Sequence, residues 1–483
     1  MRSIFESISS LIVPRPKLVL GALTLLFIAS LIGMTMLNMQ TGSETYLDKS
    51  TPRGIAFSHY EDTFSHDTLV ILIESNDSLA PDVIAYIDEI TPGLKNLQYI
   101  TSVSSIADLV KQANGGVIPR STGEIKILKE NIPSETLNRY IPSHLLTMMM
   151  VRLDVGMTDK KQKSVMNNVR SFLNSSHPPP GVTVTLTGNP VFQQEMGEEL
   201  SNSMKTLIMG AMVLMIAVLG LLFGYVSYRF IPVLIVAIGL VFTFGIMGLC
   251  GVSINTAVIA AFPVLIGLGI DYAIQFHARM EEEARKGSLE NAVWMTITRT
   301  GPAVFFAMLA TTMGFIAMFI SPVPMIRSFG LVAIIGVAIC YFTSLIGIPL
   351  IAVLIKYKPK VRIGEDKPTR ADLFLSKTAV AIAKNPVPIL MVVVLFAFIG
   401  LQVDPSIPIS TNERTFVPSD MPAKVSLDKV GRTIGSTTPV PVMVTGNNVL
   451  SPDVLQWIEM FQQNEQKMHM EITGSSSIVD YIK

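Results

Sequence analysis

Seven stretches of this sequence are apolar enough to cross a lipid bilayer as helices. They fall at about 18–37, 204–223, 230–250, 255–277, 302–320, 328–355 and 388–403. Crossing the hydrocarbon core takes about 20 apolar residues, and only the last run is clearly short of that. Hydrocarbon offers no partner to a backbone N–H or C=O, so each run must satisfy its own amides and become helical. Composition agrees. Hydrophobic residues make up 49% of the 483 and charged residues 15%, against about a quarter charged in soluble domains. The 37 basic and 37 acidic residues cancel, so no nucleic-acid partner is indicated.

Residues 1–13 have the pattern of a short amphipathic helix, ahead of Pro14, Arg15, Pro16 and Lys17. The run from Leu18 to Leu37 is longer than a signal-peptide core and no small-residue cleavage pattern follows it, so it is a retained span. The two cysteines, Cys250 and Cys340, both lie in apolar runs. They indicate membrane-core residues rather than a disulfide or a thiolate metal site.

Charge asymmetry orients the spans. With the N-terminus inside, the inner segments hold Arg2, Arg15, Lys17, Arg229, Arg279, Arg285, Lys286 and Arg299. Segment 356–387 adds eight more, among them Lys360 and Arg362. The two short outer loops, near 251–254 and 321–327, hold only Arg327. Basic residues stay on the cytoplasmic side, so the N-terminus is expected inside and segment 38–203 outside.

That outer segment alternates strands and helices. Strands are predicted at 68–74 (TLVILIE), 99–103, 148–155 (MMMVRLDV) and 182–187 (VTVTLT), and helices start at Pro81 and Asp159. A polar helical insertion separates the two βαβ halves, the pattern of a ferredoxin-like α/β sandwich. Met148 to Met150 suits ordinary strand core, or else a greasy substrate path.

An internal repeat follows. An offset of 370 pairs Pro16 with Pro386, Leu20 with Leu390, Thr41 with Thr411, Tyr46 with Phe416 and Pro52 with Pro422. With two single-residue shifts, LAPDVIAYI (79–87) meets LSPDVLQWI (450–458) and ITSVSSIADLVK (100–111) meets ITGSSSIVDYIK (472–483). Many transporters are built from such repeats. The expected organisation is therefore an N-terminal helix and first span (1–37), an outer domain (38–203) and a five-span bundle (204–355). A cytoplasmic linker (356–387), a seventh span (388–403) and the start of a second outer domain (404–483) follow. A complete second unit would make a protein of about 740 residues, twice the offset.

One span carries chemistry. It reads NTAVIAAFPVLIGLGIDYAIQFHARMEEEARKG from Asn255, with Asp271 deep inside it and Tyr272 beside it. An unpaired carboxylate at a helix centre costs about 2.5–3.5 kcal/mol on insertion scales. No Lys or Arg lies within another span to neutralise it. Asp271 must therefore be protonated part of the time, reach a water-filled cavity or find a partner elsewhere; the bland alternative is a structural hydrogen-bonding acid. Pro263, Gly267, Asp271 and Gln275 follow one another at i+4 on one helix row. Pro263 permits a kink, and Gly267 with Gly269 allows close helix approach. His277 near the inner end suits either a relay or a solvated helix end. Thr311 and Thr312 of the fifth span suit hydrogen bonds to Asp271 or to their own i−4 carbonyls. Glu281 to Glu283 with Arg285 and Lys286 has the pattern of a solvated cytoplasmic face.

No phosphate-binding Gly-Lys loop, HExxH or nucleophile–His–acid arrangement occurs, which speaks against an ATP-driven pump or a hydrolase. No cofactor and no metal is implied.

Together these features resemble the resistance-nodulation-division superfamily. GLGIDYAIQFHARMEEE (267–283) is similar to its fourth-span motif, the Asp-Tyr pair especially to the mycobacterial membrane protein large (MMPL) branch and the hopanoid and archaeal hydrophobe/amphiphile exporters. Thr187-Gly-Asn-Pro190 and TGPAVFFAMLATTMGF (300–315) fit as well. The resemblance implies an α-helical polytopic protein of the cytoplasmic cell membrane with ferredoxin-like extracytoplasmic porter domains. It further implies proton-driven export or relocation of membrane lipids or other amphiphiles. Asp271 would accept the proton, Tyr272 would neighbour it in the relay, and self-association stays an open alternative. This chain has one acid where the trimeric multidrug pumps have an adjacent pair, and an outer segment too small to dock an outer-membrane duct. Two other readings belong to different classes: a Patched-like sterol-sensing unit, and an accessory of protein export like the SecDF branch.

Overall fold

A computed structural model describes the chain except for residues 1, 65–66, 120, 131–136, 138–139, 156, 158, 223–225, 360–369, 408–414, 416, 435–439, 470–471, 473 and 483. Lys360 and Arg362 of the basic linker, and Thr411 and Phe416 of the repeat, lie outside the described residues. The chain divides into two compact units: residues 1–40 with 201–416, and residues 41–200 with 417–483. Among the described residues, seven helices are long and apolar enough to cross a membrane.

The first unit opens with α1 (Arg2–Ile12) and α2 (Pro16–Met34). α1 buries Phe5, Ser9 and Ile12, one helix face, and leaves Ile4 and Leu11 exposed. Pro16 starts α2 at the first turn, where its missing N–H leaves nothing unsatisfied.

The second unit, the one expected on the outer side, contains α3 (Pro52–Phe64), β1 (Thr68–Glu74), α4 (Pro81–Lys95), β2 (Ile100–Ser104), α5 (Ile106–Ala113) and α6 (Thr122–Glu130). β3 (Leu146–Leu153), α7 (Asp159–Ser175) and β4 (Thr183–Thr187) complete it. The sheet order is β2-β3-β1-β4, every neighbouring pair antiparallel. That is the ferredoxin-like arrangement expected from the split βαβ pattern. α4 and α7 lie side by side: Gly93 faces Phe172 with no room for a Cβ, and the Tyr86 hydroxyl meets Ser176 Oγ at 2.6 Å. Met148 and Met149 are fully buried in β3, as strand core.

α8 (Asn189–Leu222) begins in the second unit and from Ser201 belongs to the first, which continues with α9 (Ile231–Leu249), α10 (Thr256–Lys286) and α11 (Leu289–Met295). A π-helical segment (Thr296–Thr300) leads into α12 (Gly301–Ile316), followed by α13 (Pro324–Leu354), α14 (Arg370–Lys384) and α15 (Pro386–Val403). α9, α10 and α13 form the buried centre; α15 has no buried residue. Lipid tails are as apolar as leucine, so contacts inside a bundle are made where small residues let backbones approach. Ser30 and Gly33 of α2 meet Gly245 and Gly248 of α9 in this way: a Cβ on Gly248 would overlap the Gly33 carbonyl oxygen. A Cβ on Gly269 of α10 would stand 2.9 Å from Cys340 Sγ of α13. A short parallel bridge, with Ile254 N donating to Asn38 O and Gln40 N to Ile254 O (both 2.8 Å), ties the end of α2 to the turn before α10. Phe5 of α1 sits against Gly301, where the π segment ends.

α16 (Pro422–Ile434) belongs to the outer unit. Its Val430 packs with Leu72, Leu146 and Met148 on one face of the sheet. Lys429 Nζ pairs with Glu74 at 2.6 Å, and Ala423 N donates to Glu195 at 2.8 Å. Leu69, Ile71 and Ile73 of β1 are buried on the opposite face. A strand covered on both sides reads as a continuous apolar run, which is why TLVILIE lacks alternation. Val430→Asp would bury a carboxylate among these three apolar side chains, which costs several kcal/mol. Backbone amides of 422–434 are therefore expected to lose protection in hydrogen exchange; unchanged protection would mean that this contact does not hold α16.

Candidate functional site

α10 begins where Asn255 Oδ1 accepts the N–H of Val258 at 3.0 Å, a side-chain cap that satisfies an orphan amide. It runs through Pro263 without interruption and ends before Gly287. Its two faces differ sharply. Val258, Phe262, Leu265, Ala273 and Phe276 are fully buried in the bundle. Val264, Gly267, Asp271 and Gln275 form an exposed row on the other side.

Asp271 lies on that row, and Gln275 Nε2 donates to its Oδ2 at 3.0 Å. Among the described residues no cation bonds it. The close approach expected at Gly267 is corrected here: an added Cβ there would meet no atom within 4 Å. No helix of the described bundle packs on that glycine; Gly269, two residues on, faces inward to Cys340.

Tyr272 points the other way and is 3% exposed. Its ring stands edge-on to Tyr341, 6.4 Å between centroids. Among the described residues its hydroxyl is buried with no well-formed hydrogen bond, as is that of Thr312. Thr311 lies near Tyr272, but its Oγ1 donates to Ala307 O at 3.0 Å, its own i−4 carbonyl. Neither threonine bonds Asp271. Tyr341, fully buried, donates to Gly301 O at 2.9 Å. The π segment at 296–300 ends at that glycine, and such bulges recur at functional sites.

The C-terminal end of α10 corrects two expectations. His277 is buried, 3% exposed, with Nε2 3.1 Å from the Tyr357 hydroxyl; it is not a solvated helix end. Glu281 and Glu283 are also buried, at 3% and 6%. Glu281 accepts from Arg285 at 2.9 Å, from Ser227 N and Oγ at 3.4 Å and from the Tyr357 hydroxyl. Glu283 pairs with Arg279 at 2.8 Å, and Glu282 alone of the three is exposed. Burial, and then the hydrogen bond to Glu281, hold the Tyr357 phenol proton well above its ordinary range. A small cavity beside His277 is lined by Leu219, Val226, Arg229, Pro232 and Ile274. Among the described residues no three His, Cys, Asp or Glu side chains gather as metal ligands.

Tyr341, Tyr357 and Ser227 were not singled out from sequence. Tyr341 had a signal, a hydroxyl in the middle of an apolar run. Tyr357 had none beyond lying next to basic residues.

An α-helical bundle with a carboxylate on one span, and an antiparallel α/β domain between the first span and the second, define a multi-pass membrane protein of the resistance-nodulation-division kind. A family model described as the MMPL family matches residues 140–389. The chain belongs to the MMPL family. It is 28% identical over 366 residues to a putative membrane protein of Methanocaldococcus jannaschii, covering 73% of this chain and 94% of that one. It is 33% identical over 132 residues to the hopanoid transporter HpnN of Rhodopseudomonas palustris, 27% of this chain and 15% of that protein. It is 26% identical over 266 residues to the siderophore exporter MmpL5 of Mycobacterium tuberculosis, 53% of this chain and 27% of that protein.

Proposed function

We propose that the chain is part of a proton-coupled transporter that moves hydrophobic or amphiphilic, lipid-like molecules. Asp271 carries the coupling proton, and Tyr272 and His277 belong to its relay. The observation that carries this reading is the placement of Asp271. A carboxylate stands on the uncovered row of a membrane-spanning helix and, among the described residues, only the Gln275 amide bonds it. A fixed ion there is costly, whereas a group that takes up and releases a proton spends part of its time neutral. Directly behind it, the Tyr272 hydroxyl is buried beside Thr311. MMPL membership and the names of two relatives, a hopanoid transporter and a siderophore exporter, support transport of lipid-like or amphiphilic cargo. The basic residues at the C-terminal end of α10 orient that end to the cytoplasm and the outer unit away from it. The outer unit then handles the cargo.

The test is flux of a fluorescent lipid analogue in proteoliposomes under an imposed pH gradient. The expected result is flux that follows the gradient and collapses to the protein-free background when a protonophore is added. Flux that persists with the gradient collapsed would rule out proton coupling.

A further inference from the structure

We propose that His277, Tyr357 and Glu281 form the exit by which the proton leaves toward the Lys/Arg-rich side of the membrane. This deepens the proton-coupled reading and rests on it. Three pieces of chain converge on the network: the last turns of α10, the turn before α9 that contains Ser227, and the residues just after α13. His277, Glu281 and Arg285 follow one another at i+4, so they share one helix row. His277 and Glu281 are both more than nine-tenths buried. Tyr357 closes the network from across the bundle.

The two turns that deliver these groups are strained. Lys356, immediately before Tyr357, has φ +51°, and Tyr228, immediately after Ser227, has φ +49°. Non-glycine residues in this region are uncommon, and the surroundings must enforce them. Neither turn would adopt that shape by local preference. The strain places one phenol and one backbone carbonyl against the end of α10.

Hydrogen-bond bookkeeping gives the network a direction. Tyr357 has one proton to donate, and its oxygen lies 3.1 Å from Ser227 O and within bonding distance of Glu281 Oε2, both acceptors. Its proton therefore points at an acceptor, and the N–H toward it must come from His277 Nε2. The groups facing His277 are Tyr357 from beyond α13, the Ser227 carbonyl and Arg229 from the turn before α9, and Glu281 from α10 itself; Tyr228 packs on Tyr357 and Arg285 pairs with Glu281. A proton taken up at His277 Nδ1 allows Nε2 to release its own to Tyr357. Tyr357 in turn releases its proton to the Glu281 carboxylate. Glu281 loses that proton to water at the rim, where Arg285 favours the carboxylate. Exchange of the imidazole tautomer resets the chain. One proton enters, one leaves, and no group keeps a changed charge. Tyr357 serves as a neutral hydroxyl throughout, because burial disfavours its phenolate.

The competing reading is a structural clasp that pins three helix ends together. Tyr357→Phe separates the two, since phenylalanine keeps the ring against Tyr228 (5.3 Å between centroids) and His277 while removing the hydroxyl. The protein is reconstituted in proteoliposomes, and flux of the fluorescent lipid analogue is followed while the pH on the Lys/Arg-rich side is varied. The expected result for Tyr357→Phe is a fall of about tenfold in gradient-driven flux. Its gain from alkalinising that side should also be lost, because transfer inside the protein has become the slow step. His277→Gln should reproduce both effects. Wild-type flux and an unchanged pH profile in Tyr357→Phe would overturn the exit. So would a loss of flux with the pH dependence retained, which marks a clasp. Asp271→Asn runs alongside: if that variant transports normally, the coupling reading itself fails. If it is dead while Tyr357→Phe is normal, only the exit fails.

Discussion

Replacing Asp271 with asparagine is expected to bring gradient-driven flux to the protein-free background while leaving the protein folded. Asparagine has nearly the same size, keeps a carbonyl oxygen to accept from Gln275 and carries no charge to desolvate. Removing ionisation lowers the cost of a polar group in hydrocarbon, so the variant should melt no lower than the parent. Transport should still be lost, because a group that cannot titrate cannot couple cargo to protons. Asp271→Glu should retain part of the flux with a displaced pH optimum, as the longer acid sits in a different dielectric. A purely structural acid predicts the opposite order, with asparagine tolerated better than glutamate. The measurement is initial flux of the lipid analogue across a series of imposed pH gradients. Near-normal flux in the asparagine variant would sink the proton-carrier reading.

Gly248→Val should have the largest effect on assembly. The added side chain would run into the Gly33 backbone, and the neighbouring Gly245 faces Ser30 just as closely. Overpacking a core usually costs about 1–3 kcal/mol when side chains can give way. Here the added side chain meets backbone, which cannot rotate away, so relief requires α2 to separate from α9. The expected outcome is a large drop in melting temperature in detergent and loss of a crosslink engineered between α2 and α9. Gly210→Ala in α8 is the contrast, because a Cβ there meets nothing within 4 Å. It should be neutral or slightly stabilising, as alanine is the better helix former. Equal stability of the two variants would show that the seam is not what holds α2.

Why some of this was legible in sequence follows from which interactions leave a periodic trace. The spans were legible because hydrocarbon forces each run to satisfy its own backbone. The sheet was legible because strands, turns and the two βαβ halves follow in fixed order. Asp271 stood out because a lone acid in an apolar run has few uses. Its exposure did not: an i+4 row shows which residues share a side, not which side meets a neighbour. Gly267 and Gly269 illustrate the limit, two residues apart with one facing open space and the other a thiol. Glu281 and Glu283 were hidden by composition, since a run of acids followed by bases looks the same solvated or buried. The α2–α9 seam was not read from sequence, because small residues such as Ser30, Gly33, Gly245 and Gly248 become a contact only once the partner helix is known. The docking of α16 left no trace, because nothing in PAKVSLDKVGRTI names the sheet it will cover.

That docking sets an order in time. β4 ends at Thr187, yet α16, which covers one face of the sheet, begins at Pro422. Between them the ribosome must make α8 to α15 and the membrane must accept them. At synthesis rates of about 5–20 residues per second the interval is roughly 12–50 s. During it Leu72, Leu146 and Met148 have no lid. An uncovered apolar sheet face in that interval invites pairing with other nascent chains. The sheet is thus written early and finished late, and a chaperone that binds apolar surface would meet it half-covered.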